Sequence, residues 1–333
     1  MPKLNIDALG ELSKYLHSEV GFFPRRTKII NVPSDCWNEL CQSNSWDESS
    51  SGVFSPKTLS AYIKEGHEFE DSSTIHEFLG HGLFYEYHSI GKILNGFEKR
   101  NLKKISNKIA KGFDFFSEAF ALWNEDYFSQ YLGIAEQFEK KYRLKMDDIS
   151  KITGQLKNCE KEIGLFGMFA ELGFPKFYDS QKAKMLLEKV CEKEKINNSK
   201  IGILYGSRKP YSDIDFFIVS NEIKDMDDNV IDIFTKTPKE FEEHLKLFAV
   251  SLRDPLLKGE FIFGDKEYFE KAKHQWANQP ITEDAIKYNI QRHKELKAIS
   301  SYDGLEDKRR LILQKYSQTY LQNALNLKQG KRE

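Results

Sequence analysis

The chain has only four cysteines among its 333 residues, scattered at Cys36, Cys41, Cys159 and Cys191. None has a Cys-x-x-Cys partner, which argues against a disulfide framework and against a cysteine-type zinc site. The chain also lacks any apolar run approaching the length of roughly 20 residues that is needed to span a bilayer. The opening Met-Pro-Lys-Leu-Asn-Ile-Asp has no hydrophobic region of the signal-peptide kind. We therefore expect a cytoplasmic protein without a membrane partner.

An excess of charge of either sign is also missing, because the formal net charge is −1. No overall field attracts nucleic acid or an anionic surface. The Lys-rich residues 99–111 keep nucleic acid open as a partner, although such a stretch is more often a solvated helix face or loop. Hydrophobic residues make up 40 % and charged residues 30 %, as in a globular protein. A chain of 333 residues predicts two domains, each with its own core.

The hydrophobic patterns of the first half predict a mostly helical domain with a small sheet. Runs of β-branched and aromatic residues predict strands at residues 27–32 and 53–63. A helix is predicted from Ser72 to about His88, with Ser72 and Ser73 as candidate N-caps. Further helices are predicted at residues 113–131, 133–142 and 159–172, before a stop at Gly173 and Pro175.

The second half begins with an amphipathic helix predicted at residues 180–195. Short strands are predicted at residues 201–205, 215–219 and 230–234, followed by a helix at 237–252 that Thr237 caps. The tail is predicted to form two helices that separate near residues 300–304. The fold class is therefore α+β, with a first domain at 1–179, an α/β domain at 180–270 and a helical extension at 271–333.

A Gly-Ser turn and three aspartates form the first chemical pattern. A strand ends at Gly206 and Ser207, where glycine lets the backbone approach a phosphate and serine offers a hydroxyl and an amide. Asp213 and Asp215 are two residues apart on an apolar strand and are expected on one face, and Asp232 lies in the middle of the next strand. Grouped carboxylates near a core are costly without a cation. Mg²⁺ prefers carboxylates, waters and phosphate oxygens, so the pattern predicts a magnesium–nucleotide site.

This ordered set resembles the minimal nucleotidyltransferase domains of the polymerase-beta-type superfamily, over about residues 180–269. The resemblance implies that Gly206 and Ser207 hold the triphosphate of ATP or another nucleoside triphosphate. It also implies that Asp213 and Asp215 bind Mg²⁺. Asp232 would complete the metal site or act as the base that activates an acceptor hydroxyl.

The loop after the Gly-Ser turn is shorter than that family's. Only residues 208–212 separate Ser207 from Asp213. Arg208 or Lys209 could compensate by contacting phosphate directly. The simpler interpretation, ordinary charges on an edge strand, is disfavoured by the added turn and the third acid.

His76, Glu77 and His81 form the second chemical pattern, within an apolar helical stretch. Zinc-peptidase helices normally carry two histidines four residues apart, with a glutamate after the first as general base. Here the histidines are five apart, and on a regular helix of about 3.6 residues per turn they would diverge. A one-residue π-bulge would bring them to one side, and Gly80 would ease that distortion. Glu118 is a candidate third ligand, since an unpaired carboxylate in its apolar helix would be costly.

This second pattern resembles the gluzincin metallopeptidases, and its extra residue resembles the zinc helix of the dipeptidyl peptidase III type. The resemblance implies Zn²⁺ ligands at His76, His81 and Glu118, a general base at Glu77 and a fourth position for water. A peptide would be the substrate, and the strand before the helix could hold it extended. The plainer interpretation is a pair of structural histidines, and Glu118 favours zinc over it.

The combined prediction is a two-enzyme chain. A Mg²⁺-dependent nucleotidyltransferase would move a nucleoside monophosphate to a hydroxyl, with a protein as the preferred acceptor by resemblance, and a zinc peptidase would precede it. Peptidase activity could instead be the principal function, regulated by the nucleotide-binding domain. The nucleotide site could also bind without turnover, as in an antitoxin-like regulatory module, which the short loop favours. His67 and His88 lack matching context and are expected at the surface or in a supporting role.

Overall fold

A computed structural model of the chain describes residues 4, 6–99, 107–143, 146–194, 196, 199–222, 225–227, 230–302 and 304–332. The fold is α+β, with two small mixed sheets. The chain divides into two compact units, Met1–Tyr178 (unit 1) and Asp179–Glu333 (unit 2). Part of the Lys-rich stretch, residues 100–106, lies outside the described residues. No helix within the described ranges is long and apolar enough to cross a membrane.

Unit 1 is mostly helical and contains one three-stranded sheet. Its strands are β1 (Lys28–Val32), β2 (Gly52–Ser55) and β3 (Ser60–Lys64). Its α-helices are α1 (Ile6–Glu19), α2 (Ser34–Asn44), α3 (Glu70–Thr74), α4 (Gly82–Tyr87), α5 (Ser89–Lys99), α6 (Asn107–Tyr131), α7 (Ala135–Tyr142) and α8 (Met146–Glu171). A seven-residue π-helix, Ile75–His81, joins α3 to α4. The sequence patterns did not predict α1, α2 or α5.

The strand predicted at residues 53–63 is wrong as a single element. The chain turns back after β2, where Leu59 has a positive φ of 51°, and forms the antiparallel hairpin β2–β3. β1 pairs with β3 in parallel, so the strand order is β1-β3-β2. β2 is therefore an edge strand, and it contacts the π-helix that follows it in the chain.

The predicted N-caps Ser72 and Ser73 are also wrong, because α3 begins at Glu70 and buries both serines. Their hydroxyls bond side chains instead of free backbone amides. Ser72 donates to Glu125, and the Ser73 hydroxyl lies 2.6 Å from that of Ser51. Both hydrogen bonds tie α3 to neighbouring elements beneath the π-helix.

One apolar core holds the π-helix against the long helices of unit 1. Ile75 and Leu79 of the π-helix, Phe120 and Trp123 of α6, and Phe169 of α8 are all at most 1 % exposed. The polar residues of the π-helix lie on its other side. This packing leaves α6 directly beside the predicted zinc ligands.

Unit 2 combines a five-stranded sheet with six helices in the described ranges. Its strands are β4 (Ser199–Tyr205), β5 (Ile214–Ser220), β6 (Met226–Asp227), β7 (Ile231–Lys236) and β8 (Glu260–Gly264). Its helices are α9 (Ser180–Glu194), α10 (Pro238–Lys246), α11 (Val250–Lys258), α12 (Lys266–Asn278), α13 (Glu283–Ser300) and α14 (Asp307–Lys328). The strand order is β6-β7-β5-β4-β8; β5 and β7 are parallel, and the other pairs are antiparallel. The patterns did not predict α12.

The helix predicted at residues 237–252 is two helices. Thr237 caps α10 as predicted, since its hydroxyl accepts the Glu240 N–H at 3.2 Å within a capping box. The chain then turns at Phe248, which has a positive φ of 48°, and α11 begins at Val250. A non-glycine residue in this region carries no sequence signal for a turn.

The tail helices pack into the same core as the sheet of unit 2. Ala285 of α13 and Leu327 of α14 are buried in one cluster with Ile203 of β4. Asn323 of α14 donates a hydrogen bond to the Phe248 carbonyl at 2.8 Å and is itself buried. The two predicted tail helices are therefore part of unit 2.

Candidate metal centre and acidic strand face

The π-helix brings His76 and His81 to one side, as their five-residue spacing predicts. Their ring centroids are 5.0 Å apart, and each residue is 6 % exposed. A π-helix pairs residues five apart, whereas an α-helix pairs residues four apart. The predicted local winding is confirmed, and it extends over the seven residues Ile75–His81.

Gly80 has a role beyond the predicted easing of the π-helical distortion. Its backbone has no positive φ, but a Cβ at this position would lie 2.5 Å from the Ala121 Cα and 2.6 Å from its Cβ. Gly80 therefore permits close contact between the π-helix and α6. The contact is three residues along α6 from Glu118, so it sets how near that carboxylate comes to the histidines.

Glu118 reaches both histidines from α6. One carboxylate oxygen lies 3.4 Å from His76 Nε2 and the other 3.3 Å from His81 Nε2. Ligand atoms about 2.1 Å from a tetrahedral zinc ion would be about 3.4 Å apart, so this spacing fits zinc. The burial expected for Glu118 is wrong, because its side chain is 57 % exposed.

The second nitrogen of each imidazole is held by a residue of α6. His76 Nδ1 is 2.8 Å from a Glu125 carboxylate oxygen, and His81 Nδ1 is 2.8 Å from the Ser117 hydroxyl. An imidazole that donates from Nδ1 keeps a lone pair on Nε2 for a metal. Both rings are therefore oriented as metal-binding histidines commonly are.

Glu125 anchors this arrangement and was not predicted from the sequence. Its side chain is 0 % exposed and is contacted by His76, Lys141, Tyr142 and Ser72. Burial alone would raise the pKa of Glu125, but Lys141 and His76 hold it at about 2. One signal could have found it: Glu125 follows Glu118 by seven residues, or about two helical turns, and so lies on the same face of α6.

The carboxylates around the histidines require positive charge between them. Burial alone would lower the pKa of His76, but Glu118 and Glu125 raise it to about 10. Burial alone would raise the pKa of Glu118, and the two histidines bring it below its usual range. A proton on His76 meets this requirement in the absence of metal, and a divalent cation bound through Nε2 would meet it equally.

Glu77 lies in the cleft beside these three side chains. One of its carboxylate oxygens is 3.9 Å from His81 Nε2. The cleft has a volume of about 390 Å³, and β2 contributes Gly52, Val53 and Phe54 to its wall. A Cβ at Gly52 would lie 3.0 Å from the Glu77 Cγ, so glycine at the start of β2 leaves room for Glu77.

Two glutamates compete for the place of third ligand. His76, Glu77 and His81 offer ligand atoms that all lie within 4.8 Å of one another. Glu118 approaches His81 Nε2 more closely than Glu77 does, at 3.3 Å against 3.9 Å, and it also reaches His76. The geometry favours Glu118 as ligand and leaves Glu77 for proton transfer.

The two other histidines differ from each other. His88 is 3 % exposed, which excludes the surface position, one of the two expected for it. Its Nε2–H donates to the Leu172 carbonyl at 2.7 Å, and its Nδ1 accepts the Ile90 N–H at 3.2 Å. Burial lowers the pKa of His88, which agrees with this neutral, structural role. His67 is partly buried and lines a second arm of the cleft, with a volume of about 540 Å³.

In unit 2, the sheet places Asp215 and Asp232 side by side. They are register partners on the parallel strands β5 and β7, so both side chains leave the same face. Tyr205 of β4 is the register partner of Asp215 on its other side and completes a row across three strands. Burial first, and then the two aspartates, raise the pKa of Tyr205. Tyr205 was missed because its neighbours in the row come from separate strands.

The Gly206–Ser207 turn closes over this row. Gly206 has a φ of 80°, and a Cβ there would overlap the Asp215 carboxylate. The Ser207 N–H donates to that carboxylate, whereas burial and the charge of Asp213 raise the pKa of Asp215. Glycine is required here both for the positive φ and for the close approach.

Two predicted residues differ from expectation, Asp213 in its position and Arg208 in its partner. Asp213 is exposed and precedes β5 by one residue rather than lying on the strand. Arg208 pairs with Glu260 at 2.6 Å, so its side chain neutralises a protein carboxylate in this structure. A phosphate contact by Arg208 would require that pair to open.

Comparison with protein-family models, with curated proteins and with solved structures finds no significant match for this chain. The two sites therefore support a function through their own geometry alone.

Proposed function

We propose that unit 1 is a zinc-dependent peptidase. The observation that carries this proposal is the convergence of His76 Nε2, His81 Nε2 and the Glu118 carboxylate, at the 3.4 and 3.3 Å separations suited to tetrahedral zinc. An exposed edge strand can add an extended peptide by main-chain hydrogen bonding. β2 borders the cleft and lies at the edge of its sheet, which supports a peptide as the substrate.

The residues around the metal position would have separate roles in hydrolysis. Bound zinc would lower the pKa of a water molecule to about 7 and polarise the scissile carbonyl. Glu77 accepts the proton of the attacking water and passes it to the leaving amine. Glu125 keeps the His76 imidazole in the tautomer that directs a free Nε2 into the cleft, and Ser117 orients the His81 ring from its Nδ1 side.

Metal content and turnover test the peptidase proposal separately. The purified protein should contain about one zinc per chain. His76→Ala should lose it, whereas His67→Ala, in the adjoining arm of the cleft, should keep it. Glu77→Gln should keep zinc and lose about a hundredfold or more of the hydrolysis of a quenched-fluorescence peptide library. A wild-type protein that binds no zinc would rule the peptidase out.

For unit 2 we propose Mg²⁺-dependent transfer of a nucleoside monophosphate from ATP, or another nucleoside triphosphate, to a hydroxyl. The observation that favours it is the register of Asp215 with Asp232 beneath the Gly206–Ser207 turn. Adjacent carboxylates suit a divalent cation, and an open glycine turn lets backbone amides approach phosphate. The acceptor oxygen bonds to the α-phosphorus, pyrophosphate leaves, and Asp232 takes the hydroxyl proton. A protein is the acceptor we favour.

Incubation with Mg²⁺ and α-labelled ATP tests the transferase proposal. Label should appear on an acceptor, and Asp232→Asn and Asp213→Ala should each abolish the transfer. Glu283→Gln provides the control, because Glu283 is an exposed acid of α13. Nucleotide binding without transfer would support a regulatory binding module instead. Peptide hydrolysis that changes with nucleotide would support a peptidase regulated by unit 2.

A further inference from the structure

A second recess of unit 1 opens beside the candidate metal centre. It has a volume of about 560 Å³ and is formed by the segment before β1 together with α4 and α5. The side chains that matter here are those of Arg25, Arg26, Tyr85, Glu86, Lys92 and Asn95. Tyr85 also lines the metal cleft, so the two spaces share a wall.

The recess has an excess of positive charge. Two arginines and one lysine oppose one glutamate, and three cations minus one anion leave a net charge of +2 among its lining residues. Glu86 is 3 % exposed, and its carboxylate accepts the backbone N–H groups of Arg25, Arg26 and Thr27 at 3.1, 2.9 and 2.6 Å. The Glu86 carboxylate therefore already binds the backbone of the segment before β1 and does not neutralise the cations of the recess.

Compared with the Glu86 carboxylate, the side chains of Arg25 and Arg26 make only weak polar contacts. The Arg26 Nε is 3.8 Å from Glu86, and its side chain is 61 % exposed. The Arg25 guanidinium lies 3.3 Å from a nitrogen of His17, which is not an acid. Arginine presents several N–H donors in a planar fork that matches a carboxylate.

Asn95 adds a polar side chain to the wall of the recess. It is 6 % exposed and lines the recess. A side-chain amide can both donate and accept hydrogen bonds, so it suits a polar ligand. Lys92, Asn95 and Gly96 follow the i, i+3, i+4 spacing of one helix face, which explains how α5 presents them together.

A row of stacked rings connects the metal centre to the recess. The ring of His81 stacks on Phe54 at 5.6 Å, and Phe54 stacks on Tyr85 at 5.3 Å. An extended peptide advances about 3.3 Å per residue. The His81 and Tyr85 ring centroids are only 6.5 Å apart, so a peptide held along β2 would reach the Tyr85 wall within about two residues of the metal.

We propose that this recess binds a carboxylate of the peptide substrate, within about four residues of the scissile bond. The inference rests on the peptidase function proposed for unit 1. Arg25 and Arg26 would donate hydrogen bonds to the carboxylate, and Asn95 would donate one from its side-chain amide N–H. Lys92 would add positive charge nearby. The carboxylate belongs either to an acidic side chain or to the C-terminus of the peptide, and both sources offer the same chemistry.

Binding to a zinc-loaded Glu77→Gln protein tests the proposal without requiring turnover. The probes are four fluorescein-labelled octapeptide mixtures, with Glu or Gln at the varied positions and with a free or an amidated C-terminus. We expect one substitution, Glu to Gln or acid to amide, to weaken binding about tenfold or more, as for the loss of a charge-assisted hydrogen bond. The substitution that weakens binding identifies the source of the carboxylate.

Variants locate the selectivity in the recess. Arg25→Gln combined with Arg26→Gln should abolish the discrimination, Lys92→Gln should weaken it, and Lys14→Gln, at an exposed position of α1, should leave it intact. Zinc content confirms that each variant is folded. Equal binding of all four mixtures, or discrimination that survives the double variant, overturns the inference. If the wild-type protein hydrolyses peptides but does not discriminate among the four mixtures, the peptidase proposal stands and the recess proposal fails. If it discriminates among the mixtures but hydrolyses none, the peptidase proposal fails and the recess remains a carboxylate-binding site.

Discussion

The two metal-facing imidazoles are held by chemically different partners on the same helix. Glu125 is fully buried and charged, and it also accepts hydrogen bonds from Lys141 and Tyr142 at 2.8 Å each. Ser117 offers a neutral hydroxyl to His81. A carboxylate partner raises the basicity of an imidazole more than a hydroxyl does, so His76 should depend more strongly on its partner than His81 does.

Glu125→Gln should therefore lower zinc affinity by about 10- to 100-fold, because the uncharged amide cannot support His76 in the same way. Ser117→Ala should have a smaller effect in the same direction. Competition with a chromophoric chelator measures both dissociation constants. Glu136→Gln, at an exposed position of α7, is the matched control. Equal affinities for Glu125→Gln and the control would contradict the role given to Glu125.

Single residues were predictable where type and local spacing were enough. His76, Glu77 and His81 lie within six residues, and Glu118 is an acid in an otherwise apolar stretch of helix. Glu125 was not identified, because its partners come from α3, the π-helix and α7 and meet only in the folded unit. An acid in a helix with several charged neighbours otherwise resembles a solvated surface residue.

Among helices and strands, the π-helix was predicted and the β2–β3 hairpin was missed. Two histidines five apart can share one metal only if the helix is wound with more residues per turn, so the chemistry specified the winding. Ser55-Pro56 is a turn signal that the single-strand prediction did not use, whereas the positive φ of Leu59 carries no sequence signal of its own. The break between α10 and α11 was missed for a similar reason, because its positive φ falls on Phe248, a residue that does not indicate a turn.

Gly80→Ala should separate the π-helix from α6. The added methyl group would lie 2.5 Å from the Ala121 Cα, which belongs to backbone and cannot rotate away. We expect a loss of about 1–3 kcal/mol in the free energy of unfolding, as for an overpacked core, together with weaker zinc binding as Glu118 withdraws. Urea unfolding with and without zinc measures both effects.

Gly10→Ala is the matched control for that substitution. Gly10 lies inside α1, and a Cβ there meets nothing within 4 Å. This change should be neutral or should stabilise the protein by up to about 1 kcal/mol, because alanine is the better helix former. Similar losses in the two variants would show that Gly80 is an ordinary helical glycine and not the contact point with α6.

Across the whole chain, each compact unit has its own apolar core and its own candidate site. The core of unit 1 includes the apolar side of the π-helix, and that of unit 2 joins the sheet to α13 and α14. The α+β class could be predicted because strand and helix periodicities occur in both halves. Helices α1, α2, α5 and α12 were missed, although α12 carries a local signal, because the Asp265 side chain caps it by accepting the Tyr268 N–H.

Ligand-dependent unfolding of the full chain should separate the two sites. A ligand that binds the folded state alone stabilises it by about 2.7 kcal/mol at a hundred times its dissociation constant, or about 5–10 °C for a unit of this size. Zinc should raise the unfolding temperature in wild type and in Asp232→Asn, but not in His76→Ala. Mg²⁺ with a non-hydrolysable ATP analogue should raise the unfolding temperature in wild type and in His76→Ala, but not in Asp232→Asn. Differential scanning calorimetry measures both series, and a zinc shift that persists in His76→Ala would place the zinc away from the π-helix.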